Sequence, residues 1–349
     1  MKLPTLILLF AAVPSLASAQ STDTDFQSLL KERKYQEVET LANTRIAKNA
    51  NDETAIWYLV SVSSSDKSKR EAAMVKAEAC TAALPKSAKC HHAVGRLYGA
   101  AAMSSGPLDM MKYASRIKDE FLLAVELDPS NFDARRDLNQ YYLQAPGIAG
   151  GSVRKAINNA DEMGKLNPVA GKLLRADVHS YEKEFDQAQA LLNGIKPIGD
   201  EQVASLTQAW ITVGFGLIGD KQVAKVQALF ERLVAAEPNN AALHFGLGRA
   251  HLEANSLDQA IASMERALKM DSKLNAHYRL GIAYQQKGDK PKAVAALQQF
   301  LSYTSAGKAA DDAKKTLGGD EACGISTAPP VGVLLGVGFT APTGETITK

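Results

Sequence analysis

A glycine run, six histidines and three cysteines are the residues of this 349-residue chain whose types and spacing could do chemistry. Gly214, Gly216 and Gly219 fit G-x-G-x-x-G, the turn that lets a backbone approach a dinucleotide pyrophosphate. Such a site needs a strand before the glycines, a helix opening at them and an acidic residue about 20 positions on. Residues 210–213 and Glu237 fill two of those places. Spacing accounts for the run more simply. Gly214 recurs 34 residues later as Gly248, and Gly219-Asp220 reads as a helix stop followed by a helix start. Only Gly216 is left without a role, and no cofactor is expected.

The histidines do not converge. His244 and His251, seven apart on one helix, stand about 10.5 Å apart along its axis, too far to share one ion. With His277 and His179 they fall where the repeat places large packing residues. Cys90-His91-His92 is a cluster by sequence, but neighbours on a helix point in different directions, so no metal is expected. Ser-x-x-Lys occurs at Ser64, Ser115 and Ser152 without the companion motifs of a serine hydrolase. Gly147 to Ser152 offers consecutive backbone N–H groups before a helix, which can cradle an anion or simply turn the chain. Cys80 and Cys90 either pair or sit as two small buried apolar residues; their spacing leaves both open. Cys323 lies in a glycine-rich stretch and reads as free.

The elements that must position these groups are helical. Ala, Leu, Lys, Glu and Gln are abundant, which favours helices throughout. Residues 1–19 read as a secretory signal: Lys2, a short apolar run from Leu6 to Val13, and Ala17-Ser18-Ala19 as a cleavage site. That run is shorter than the roughly 20 residues a transmembrane span requires. The expectation is an exported, periplasmic or secreted protein, soluble after cleavage. The absence of any Asn-x-Ser/Thr acceptor leans toward a bacterial periplasm. A formal charge of +2 with no long basic run gives no reason to expect nucleic acid.

Self-similarity sets the architecture. Trp210, Gly214, Val226, Phe230 and Pro238 align with His244, Gly248, Ala260, Met264 and Ser272 at a constant 34 residues. His277, Gly281, Ala293 and Leu297 follow at 33. Two helices fit each unit, for example 241–254 and 257–270. Small residues at Gly248 and Ala260 let antiparallel helices approach, while Leu247, His251 and Met264 fill the seam. The pattern resembles the tetratricopeptide repeat family: Leu247-Gly248, His251, Ala260, Met264 and Ala267 carry it, as do Leu280-Gly281, Tyr284, Gly288-Asp289, Ala293 and Leu297. The resemblance implies an all-α fold, a right-handed α-solenoid of antiparallel helix pairs. About eight pairs span residues 20–317, most regular at 207–304, with extra residues near 104–107 and 146–151. Residues 318–349, rich in Gly, Thr and Pro, read as a flexible tail with an apolar run from Val331 to Phe339.

The same resemblance implies a protein or peptide partner held in a concave groove lined by first helices. At its exposed positions stand Ile211, Phe215, Ile218, Phe245, Arg249, Leu252, Tyr278, Ile282 and Gln285, an apolar stripe suited to an amphipathic helix or extended peptide. His92, Arg96, Arg136 and Gln140 make the other end polar and anion-friendly. The Lys and Asn pattern by which co-chaperones of the family grip a chain terminus is absent at these positions. The expected function is a non-enzymatic scaffold. The alternative is a receptor or enzyme with its site in the inserted loops 104–109 and 146–152. Self-association through the tail is a third reading.

Overall fold

A computed structural model describes residues 17–105, 107–304 and 308–318. Residues 1–16 of the expected signal, the 318–349 tail beyond Gly318, and Cys323 therefore lie outside the described residues, while Ala17-Ser18-Ala19 open the first helix. No helix among the described residues is long and apolar enough to cross a membrane.

The helices begin where short polar side chains can accept from exposed backbone N–H groups. Asp52 caps the N–H of Ala55, Ser87 that of Cys90, Asn131 that of Ala134, Asn240 that of Leu243 and Asp289 that of Lys292. Each cap is worth about 1 kcal/mol. The helices come in pairs: α1 (Ala17–Lys31) with α2 (Tyr35–Lys48), α3 (Glu53–Ser63) with α4 (Lys67–Ala83), α5 (Ala88–Met103) with α6 (Pro107–Leu127), and α7 (Phe132–Gln144) with α8 (Val153–Leu166). Then follow α9 (Pro168–Tyr181) with α10 (Phe185–Asn193), α11 (Gly199–Gly219) with α12 (Val223–Ala236), α13 (Ala241–Glu253) with α14 (Leu257–Met270), and α15 (His277–Lys287) with α16 (Lys290–Leu301). A last helix, α17 (Lys308–Gly318), packs on α16.

Within pairs, turns reuse one backbone conformation. Arg33, Lys183, Lys221 and Asn255 take positive φ between the two helices of their pairs, and Gly288 does so in the eighth. First helices also pack on the next first helix, as α3 on α5, α9 on α11 and α11 on α13. Together the first helices form one face of the array, called here the wall. The array comes round on itself. Lys31 reaches Asp200 at 3.0 Å, Arg33 pairs with Asp271, and Lys273 donates to the Glu32 carbonyl at 2.7 Å.

Two sequence expectations need correction here. The extra residues near 104–107 do not form a large loop; they lengthen α6 to 21 residues. Gly216 does have a role. A Cβ there would stand 2.6 Å from the Phe185 ring, so the glycine admits that ring against α11.

Candidate functional site

The wall of first helices can be read as rows, counting from the small residue of each pair (Gly95, Asn139, Ala176, Gly214, Gly248, Gly281). The position after it holds Arg96, Gln140, Asp177, Phe215, Arg249 and Ile282 in turn.

In pairs three to five the charges on this wall neutralise one another. His92 is buried and its Nε2 meets Asp137 Oδ2 at 2.8 Å. Arg96 Nε lies 3.5 Å from the same oxygen, and its guanidinium covers the Trp57 ring at 5.2 Å. His92 stacks on that indole from 4.5 Å. Burial pulls the Asp137 carboxyl up, yet Arg96, His92 and Arg136 together outweigh it and hold the group below its ordinary value. Arg136 pairs with Asp133 at 2.9 Å and lies over Phe132. Asp177 is pushed up to about 6 by burial, against the pull of Arg136 and a hydrogen bond with Gln140. The expected anion-friendly end is thus not a free positive surface. Asp137 and Asp133 already pair with its cations, and Asp177 adds a carboxyl near Arg136. Asp137 and Asp177 were not among the sequence candidates, although counting from Asn139 and Ala176 puts both on the wall.

Part of the expected apolar stripe is packing. Ile211, Ile218 and Leu252 are each 9% exposed and belong to the core rather than to an open groove. The cause is the direct contact between successive first helices, which fills the space those side chains would line. Phe215, Phe245, Tyr278 and Ile282 are half-buried. Phe215 and Phe245 meet edge to face at 6.3 Å, and Tyr278 packs on Phe300 at 5.1 Å. Gln285 is exposed. Arg249 lies 4.8 Å over Phe215, and its buried Nε has no hydrogen-bond partner among the described residues. Burial pushes its guanidinium down to about 10, and nearby Arg279 adds to the shift.

The remaining chemical candidates resolve into structural roles. The glycine run lies inside α11 rather than at a helix N-terminus, and the Phe230 ring sits where Cβ atoms on Gly214 and Gly246 would be. In the 146–152 loop, the N–H groups of Ala149, Gly150, Gly151 and Ser152 donate to the carbonyls of Pro146, Gly147, Pro146 and Tyr142. These four N–H groups are therefore not available to cradle an anion, and the Ser152 side chain caps α8. Ser104 receives Arg70 at 2.8 Å. His91 contacts Glu120 and the Pro85 carbonyl, His244 the Pro238 carbonyl, His179 Glu184, and His277 the Tyr303 hydroxyl. No metal-competent cluster occurs among the described residues. Cys80 and Cys90 are joined by a disulfide linking α4 to α5, with Cα atoms 5.7 Å apart.

Comparison with known proteins adds the following. The family described as tetratricopeptide repeat is matched over residues 217–278 and again over 274–306. A TPR repeat-containing protein of Pseudomonas aeruginosa is 36% identical over 73 residues, 21% of this chain and 70% of that protein. A tetratricopeptide repeat protein from Parabacteroides merdae superposes with TM-score 0.43 at 11% identity, covering 79% of this chain and 99% of its own. MamA from Desulfovibrio magneticus RS-1 does so with TM-score 0.33 at 20% identity, over 48% of this chain and 93% of its own.

Proposed function

Since the chain belongs to the tetratricopeptide repeat family, we propose that it is a non-enzymatic scaffold of the cell envelope that docks a peptide or helix on its wall of first helices. The observation that carries this reading is the half-buried set Phe215, Phe245, Tyr278 and Ile282 beside exposed Gln285. These are large apolar faces on rigid helices, and such helices need no rearrangement to receive a partner. Export is supported by the signal-like residues 1–19 and by the Cys80–Cys90 bond, since disulfides persist in oxidising compartments. The rival site gains no support at 146–152, where the N–H groups of Ala149, Gly150, Gly151 and Ser152 are used internally.

The test is a photo-crosslinking residue placed at Gln285 on α15, with a control at Val75, which is 69% exposed on the second helix α4. In cells, position 285 should capture a protein partner that position 75 does not. Capture of the same proteins from both positions, or none from 285, refutes the reading.

A further inference from the structure

The wall repeats one geometric slot with opposite contents. In pairs three and four, the residue after the small position is Arg96, and two before the next small position stands Asp137; the two are 3.5 Å apart. In pairs seven and eight the same places hold Arg249, after Gly248, and Arg279, before Gly281. Here the array sets a second guanidinium where it elsewhere supplies a carboxylate. Among the described residues no carboxylate comes within ion-pairing distance of either arginine, although Glu253 exerts a weaker pull on Arg249. Arg249 is half-buried, its enclosed Nε has no partner among the described residues, and aromatic faces flank both cations: Phe215 under Arg249 and Tyr278 under Arg279 at 5.4 Å. A desolvated cation without a counterion is destabilising unless something supplies the charge.

We propose that Arg249 and Arg279 form a carboxylate site for an acidic side chain within a partner peptide, flanked on that peptide by apolar residues. The inference rests on the groove reading above and adds the charge the partner must carry. An internal acid fits better than a chain terminus, because the apolar wall continues on both sides of the arginines, toward Phe215 and toward Ile282. A guanidinium pair suits this ligand: each presents a planar fork of donors that matches a carboxylate, and burial strengthens the bond.

The probe is the end-blocked peptide acetyl-Leu-Phe-Glu-Phe-Leu-amide, compared with the same peptide carrying Gln. The readout is the Arg249 Nε–H resonance, identified by its loss in Arg249→Lys. The Glu peptide should move this resonance saturably and bind at least tenfold tighter than the Gln peptide. Arg279→Asp rebuilds the slot of pairs three and four, so it should cost at least tenfold in binding while raising the urea midpoint. Equal binding of the two peptides, or no movement at millimolar concentration, overturns the proposal. So does a lower urea midpoint in both Arg279→Asp and Arg249→Met, which would make the guanidiniums structural. Tighter binding of acetyl-Leu-Phe-Phe-Leu with a free terminus would overturn the internal acid. If position 285 captures a partner while the Glu peptide fails, the groove stands and the carboxylate site falls. If the Glu peptide binds at Arg249 while position 285 captures nothing, the carboxylate site stands and the scaffold role in cells falls.

Discussion

Replacing Asp137 by Asn removes one negative charge from a place where several cations depend on it. The Asp137 side chain is 3% exposed, His92 1% and Arg96 13%. Breaking a buried ion pair by removing one partner costs about 3–5 kcal/mol, because the other charge is left desolvated. Arg96 retains some solvent and the face of Trp57, which argues for the low end, about 3 kcal/mol. Repeat arrays unfold in parts, so a local probe is needed. Trp57 stacks on His92 and lies under Arg96, and Trp210 is the only other tryptophan. Urea unfolding in a Trp210→Phe background, followed by fluorescence, therefore reports on this unit. Asp137→Asn should lower its stability by about 3 kcal/mol at neutral pH, and adding Arg96→Met should restore part of the loss. The pH dependence has a definite sign. The folded carboxyl sits below its unfolded value, so its stabilisation is present above about pH 4 and is lost as pH falls through the folded value. The deficit of the variant should shrink in that acid range. A loss under about 1 kcal/mol, or strictly additive effects of the two substitutions, would refute the claim that Asp137 neutralises this part of the wall.

Two further outcomes follow from single residues. Asp177 is raised to about 6, so the folded chain keeps a proton that the unfolded chain releases near pH 4. Stability should therefore decline as pH rises from about 4 to 6, by up to about 3 kcal/mol, and Asp177→Asn should flatten that slope in urea titrations across the range. Lys221 takes φ +57 at the turn where the eighth pair uses Gly288. Lys221→Gly should stabilise the sixth pair by about 0.5–1 kcal/mol, since relief of the left-handed strain exceeds the entropy of the added glycine; Trp210 fluorescence checks it.

The features legible in the sequence were those set within one repeat. Gly248 against Met264 and Gly281 against Leu297 are contacts inside a single pair, so a 33–34-residue period was enough to place them. Exposure along the wall was not legible, because it is decided by the neighbouring pair. Ile211 looks like a groove residue on its own helix, yet it joins the core where α11 meets α9 and α13. Gly216 shows the same limit, since its need for a missing Cβ comes from Phe185 on α10. The disulfide was undecided for a similar reason: Cys80 and Cys90 are ten residues apart, but the α4–α5 turn decides whether they meet.

Charge on the wall follows the same logic and yields a stronger inference. Read by composition, Arg96 and Arg136 mark a positive end and Phe245, Tyr278 and Ile282 an apolar one. Read by slot, the order reverses, because a cation counts only after subtracting the carboxylate that the next pair presents to it. Asp137 cancels Arg96 across a contact 41 residues long in sequence, whereas the slot of Arg249 receives, 30 residues on, the further positive charge of Arg279. Sequence periodicity fixes which residues share a slot, and only the packed wall shows that sharing a slot means contact. The uncompensated pair therefore lies within the stretch where the repeat is most regular. There, nothing about packing requires two guanidiniums in one slot, and an aliphatic pair would fill the same positions without desolvating charge.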